Sequence, residues 1–139
     1  MASEKANKKI LVVEDEPDMG IFISNLLNSD GFSPIVAKDK TEGLKHAMEE
    51  NPAVIIIDMM MFGEAGVLMY RDLKREEKLK HVPVIMLSNI DRKTFFRYLR
   101  AQSIRADQGM LEPCAYLEKP LEAEELLNLV RTLAKMEDI

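Results

Sequence analysis

The stretch Ala53–Phe62, AVIIIDMMMF, is apolar at nine of its ten positions and carries one acid, Asp58. The residues before that acid, Val54 to Ile57, are all β-branched and do not alternate with polar ones. A short run of this kind suits a strand buried on both faces of a parallel sheet. An ionised carboxylate buried without a partner is costly. The run is therefore read as ending at Asp58, which becomes the first residue beyond the strand's core, at the rim of the sheet.

Three further apolar runs match it: Ile10–Val13 (ILVV), Pro34–Ala37 (PIVA) and Val84–Leu87 (VIML). Ala115–Pro120 (AYLEKP) is a weaker fifth. Helical patterns lie between them. Met19, Phe22, Ile23, Leu26 and Leu27 repeat as one apolar face, and Gly31 suits the end of that helix. Asp39 and Glu42 have capping-box spacing ahead of Leu44, Ala47 and Met48. A third helix is predicted from about Ala65 to Glu77. A fourth starts at Asp91, and a fifth runs through Leu126, Leu129, Val130 and Leu133. Strands alternating with helices imply right-handed crossovers and a parallel sheet with helices on both faces. The expected fold is α/β and flavodoxin-like, a doubly wound five-stranded sheet of order 2-1-3-4-5. One domain is expected over 9–137, after a flexible lead-in over 1–8.

The chain has 139 residues and a net charge of −5. That balance gives no reason to expect direct nucleic-acid binding. No apolar run approaches the roughly 20 residues of a membrane span. The first residues lack the apolar core of a signal peptide. A single cysteine, Cys114, excludes an intrachain disulfide and fits a reducing, cytoplasmic setting.

Sites in open α/β sheets form beyond the C-terminal strand ends, where the strand order reverses. Glu14, Asp15 and Glu16 follow the first strand, Asp58 ends the third, Ser88 follows the fourth and Lys119 the fifth. Two carboxylates about 4 Å apart repel by about 4 kcal/mol at an effective dielectric near 20. Such a cluster needs a cation or a proton, and hard oxygen ligands in a small open site favour Mg²⁺. Acids, a hydroxyl and a lysine without a histidine base suit the handling of a phosphoryl group.

These residues, ILVVEDEPDM, VIIIDMMM with a later Gly66, VIMLSN and YLEKP, resemble the receiver domain of two-component response regulators. The resemblance runs from about Lys9 to Lys135. It implies that Asp58 accepts a phosphoryl group from the phosphohistidine of a sensor histidine kinase or phosphotransfer protein. It gives Mg²⁺ to Asp15 directly, to Glu14 through water, to Asp58 and to the backbone carbonyl of Met60. Ser88 and Lys119 would contact the phosphoryl group, Tyr116 would follow the Ser88 movement, and Pro120 would follow a cis bond. The implied output is a switch of the face formed by the fourth helix, fifth strand and fifth helix. That face also allows a homodimer; the downstream partner is unspecified. The implied protein is a signalling domain whose only catalysis is its own phosphotransfer and autodephosphorylation.

Several features depart from the family pattern. Phe62 stands where proline is common, and Asn89 replaces a smaller residue. Lys119 comes about thirty residues after Ser88, an unusually long spacing that places an extended segment around 101–114. Two other readings stay open: a pseudo-receiver that binds partners without phosphorylation, and an aspartate-based phosphatase. The phosphatase reading lacks the second acid such enzymes carry where Met60 stands. Taken singly, the acidic triplet is an ordinary solvated turn and Tyr116 a core tyrosine. Met59 to Met61 read as loop packing, and His46 and His81 as surface residues. The basic run Arg92 to Arg105 reads as a solvated helix face. Phe95, Phe96 and Tyr98 are too many aromatics for one buried stripe, so one is expected to be exposed for a partner or to cover the extended segment.

Overall fold

The computed structural model describes residues 8–58, 64–89, 91–94, 97 and 115–136. Five parallel strands form one sheet in the order β2-β1-β3-β4-β5. They are β1 (Lys9–Val13), β2 (Ser33–Ala37), β3 (Val54–Asp58), β4 (Val84–Ser88) and β5 (Ala115–Glu118). The helices are α1 (Pro17–Ser29), α2 (Lys40–Glu50), α3 (Glu64–Arg75) and α5 (Ala123–Met136). Helical backbone at 92–94 and 97 marks α4. Strand order and element order match the sequence expectation.

Alternation along the strands splits the core in two. Leu11, Val13, Ile55, Ile57, Val84 and Met86 pack with Ala47 of α2 and with Met69, Tyr70 and Leu73 of α3. Their neighbours Ile10, Val12, Ile56, Ile85 and Leu87 face Ile23 and Leu27 of α1 and Leu126, Val130 and Leu133 of α5. The three central strands are therefore apolar at nearly every position because each face needs its own set. At β2 the expectation of two buried faces fails: this strand is an edge, and Val36 is exposed. Phe22 and Met48 are exposed as well, because the inward stripes centre on Gly20, Ile23 and Leu27 in α1 and on Gly43 and Ala47 in α2. Gly43 marks a close approach of α2 to the sheet, where an added Cβ would lie 2.7 Å from Met69 Cε and 3.1 Å from Val13 Cγ2.

Local chemistry fixes the helix ends. Gly31 adopts φ 90° and closes α1, with its N–H on Asn28 O and the Phe32 N–H on Leu27 O. That is the paired bonding a left-handed residue permits at a helix C-terminus. Asp39 caps α2 through the Glu42 N–H at 2.8 Å. The reciprocal bond of the capping box is displaced by one residue, since the Glu42 carboxylate accepts from Lys38 rather than Asp39. Arg131 of α5 grips Asp30, just past α1, with two parallel bonds of 2.8 Å. His46 is half-buried rather than a surface residue, and its Nδ1 has no hydrogen-bond partner. One turn of α2 also gathers His46 with Glu49 and Glu50, and Lys9 already places its ammonium on Glu50 at 2.8 Å. The expectations for Met59 to Met61, Phe62, Phe95, Phe96, Tyr98, Cys114 and the extended segment concern residues outside those described.

Candidate functional site

The site grows from the ends of β1, β3, β4 and β5. Asp58 is the last residue of β3 and is only 3% exposed. This corrects the expectation of an acid at the rim beyond the core: Asp58 still pairs in register with Leu87 of β4. Its burial is tolerated because Lys119 Nζ donates to Asp58 Oδ2 at 2.5 Å. Lys119 lies one residue beyond β5, positioned by its own N–H on the Ser88 carbonyl at 2.8 Å. Ser88 likewise belongs to β4 rather than following it, and it is fully buried. The Lys119–Pro120 bond is cis, as the resemblance implies.

The acidic triplet divides in two. Glu14 continues β1, with its N–H on the Ala37 carbonyl, and its side chain is buried at 4% exposure. Asp15 and Glu16 are exposed, and Glu16 is the N-cap of α1 ahead of Pro17. Pro at the first helical position suits a helix start, because its missing N–H is one that no helix would pair there. Glu14 Oε2 accepts the Glu16 N–H at 3.2 Å, whereas Oε1 is buried without a donor. Burial pushes the Glu14 carboxyl up from 4.5 to about 8. The neighbouring Asp58 adds to this, by repelling a second negative charge and by accepting a hydrogen bond from the protonated form.

A stability effect follows from Glu14. The folded protein holds this proton up to about pH 8, while the unfolded chain releases it near the ordinary 4.5. Between those values unfolding releases a proton, so stability falls as pH rises across the window. Urea midpoints of the metal-free protein are expected to drop between pH 5 and pH 8, and Glu14→Gln is expected to flatten that drop. An unchanged slope in the variant would refute the assignment.

Tyr116 lies in the α2/α3 half of the core and is 4% exposed. Burial pushes its hydroxyl up from the ordinary value, partly offset by a hydrogen bond with the Ser88 side chain. The structure therefore brings Glu14, Asp58 and Lys119 into one cluster and joins Tyr116 to Ser88. Asp15 sits in the exposed turn between β1 and α1. Met60 lies outside the described residues. Asn89 is exposed. Sequence reasoning missed the carboxylate of Glu118, which accepts the Arg92 N–H at 3.1 Å. Alternation in AYLE places Glu118 on the same strand face as Tyr116, but does not place it against α4.

The family model "Response regulator receiver domain" matches residues 10–131. The chain belongs to that family. This receiver domain is 28% identical over 128 residues to the phosphate regulon transcriptional regulatory protein PhoB of Escherichia coli, a match covering 92% of this chain and 52% of that one. It is 29% identical over 136 residues to histidine kinase P4 of Formosa agariphila, covering 97% of this chain and 10% of that one. The receiver domain thus spans about half the length of the first of these curated relatives and a tenth of the second. Among solved structures, the chemotaxis response regulator CheY4 of Vibrio cholerae superposes with a TM-score of 0.74 at 24% identity, over 91% of this chain and 98% of that one. That likeness carries the fold. The family is a signalling family of two-component systems and not a conventional enzyme family. Among the described residues no helix is long and apolar enough to cross a membrane.

Proposed function

We propose that the protein is a phosphorelay response regulator whose Asp58 accepts a phosphoryl group from the phosphohistidine of a histidine kinase or phosphotransfer protein. The observation that carries this reading is the Lys119 ammonium set on the buried Asp58 at 2.5 Å, beside a second buried acid whose Oε1 has no donor. An aspartate meant only to end a strand needs neither. Family membership and the occurrence of related sequence in a histidine kinase support the partner class.

The donor set fits Mg²⁺: hard oxygens, two buried acids against one lysine, and an orphaned carboxylate oxygen. Asp15, Asp58, Glu14 and the Met60 carbonyl would hold the ion. When bound, it neutralises charge on the phosphoryl oxygens and on the acid cluster.

The chain's own residues do the rest. A carboxylate oxygen of Asp58 supplies the electron pair for the new O–P bond, and the P–N bond to the donor imidazole breaks, its electrons leaving with the ring. The transition state is loose, so positioning and charge outweigh covalent assistance. The rigid β3 holds the nucleophile in place, and Lys119 remains beside the charge that develops. The product adds negative charge and three acceptor oxygens at Asp58. Ser88, already bonded to Tyr116, is the hydroxyl available to answer them. The outcome is a population shift in the α4-β5-α5 face, which presents the signal to a partner or a second copy.

Incubation with acetyl phosphate and Mg²⁺, read by intact mass, tests the reading. One phosphoryl adduct per chain is expected, and none when the metal is chelated. A wild-type protein that takes up no phosphoryl group under these conditions would instead be an interaction module without phosphorylation.

A further inference from the structure

Glu118 is exposed, yet its carboxylate is engaged: Oε1 accepts the backbone N–H of Arg92, 26 positions earlier in the chain, at 3.1 Å. Arg92 opens α4. The first N–H groups of a helix have no partner inside it. Here Asp91, the residue before the helix, takes the Thr94 N–H at 2.8 Å and the Thr94 hydroxyl at 2.9 Å. The Arg92 N–H is taken instead by a residue of the neighbouring strand. One position further, the Lys119 N–H donates to the Ser88 carbonyl at 2.8 Å. The dipeptide Glu118–Lys119 therefore holds both ends of the connection from β4 to α4, Ser88 at one end and Arg92 at the other. Ser88 and Glu118 are register partners. The Tyr116 hydroxyl, bonded with Ser88, lies within electrostatic reach of Glu118, Asp91 and Arg92.

We infer that Glu118 is a positioning residue for the switch: its carboxylate pins the first turn of α4 to the strand that delivers Lys119 and so restrains the connection from Ser88 to Arg92. This rests on the phosphoryl-transfer reading above. When Ser88 shifts toward a phosphoryl group at Asp58, the chain that follows it is drawn along, and the Arg92 N–H must leave Glu118. The bond therefore opposes switching and helps set the balance between the two states. It is exposed to solvent, so its influence is a modest bias rather than a lock.

The test compares wild type, Glu118→Gln and Glu118→Ala in two measurements. The first is amide hydrogen exchange at Arg92 without ligand. The second is titration with beryllofluoride and Mg²⁺, a stable mimic of the phosphoryl group, followed by NMR. Glu118→Ala is expected to speed exchange at Arg92 and to tighten beryllofluoride binding about two- to fivefold. Glu118→Gln, which keeps an acceptor oxygen but not the charge, is expected to fall between. A residue with only a structural role would lower stability and leave the affinity unmoved. Unchanged exchange at Arg92, or affinity that is unchanged or weaker in Glu118→Ala, overturns the inference and leaves the phosphoryl-transfer reading standing. Wild-type protein that binds no beryllofluoride overturns that reading and the inference with it.

Discussion

Asp58→Asn is expected to abolish phosphoryl uptake from acetyl phosphate completely. The amide matches the carboxylate in shape, so the end of β3 keeps its packing, but it offers no anionic oxygen to attack phosphorus. The loss is chemical rather than conformational, for two reasons visible in the site. Lys119 loses its anionic partner but is 15% exposed and can recover water. Glu14 loses the neighbour that repels its charge. The variant is therefore expected to keep a urea midpoint near that of wild type. Intact mass and the denaturation curve together decide the matter. A phosphoryl adduct that persists on folded Asp58→Asn protein would move the acceptor to another acid.

Lys119→Met is expected to bring the largest loss of stability. It leaves Asp58, only 3% exposed, as a buried charge with no lysine to balance it and the protonated Glu14 beside it. Breaking a buried ion pair by removing one partner typically costs about 3–5 kcal/mol, a large share of the roughly 5–15 kcal/mol that holds a domain folded. The cost is expected to shrink on adding Mg²⁺, which would restore a positive charge beside Asp58. Urea midpoints of wild type and variant, with and without the metal, measure the effect. A midpoint unmoved by the substitution would show that the buried Asp58 charge does not depend on its lysine.

The sequence carried the architecture because each central strand is apolar at positions that must serve both faces, as in Ile10 to Val13 and Val54 to Ile57. The order of the elements then placed Asp58, Ser88 and Lys119 at one edge of the sheet. Depth was harder to read. Asp58 and Ser88 looked like residues beyond their strands because they are polar, yet both remain inside the hydrogen-bonded ladder. The charge pattern of Glu14, Asp15 and Glu16 is uniform, so nothing in it says that the first is buried and the next two are not. That division comes from the bond between Glu14 and Ala37, a long-range contact. Phe22 and Val36 failed for a related reason: local periodicity and β propensity do not say which surfaces the fold leaves uncovered. The contact between Glu118 and Arg92 depends on how β5 and α4 meet, which lies beyond local spacing.

The sheet also acts as a partition. One half of the core belongs to α2 and α3, the other to α1 and α5, and side chains of successive strand residues belong to different halves. Substitutions on opposite sides are separated by a layer of backbone and share few partners, so their energetic effects should sum. Each wall of the molecule can thus drift in sequence on its own account. The acids, hydroxyl and lysine stand on the strand ends common to both walls, and lineages can change what the helices recognise while the chemistry at that edge stays where it is.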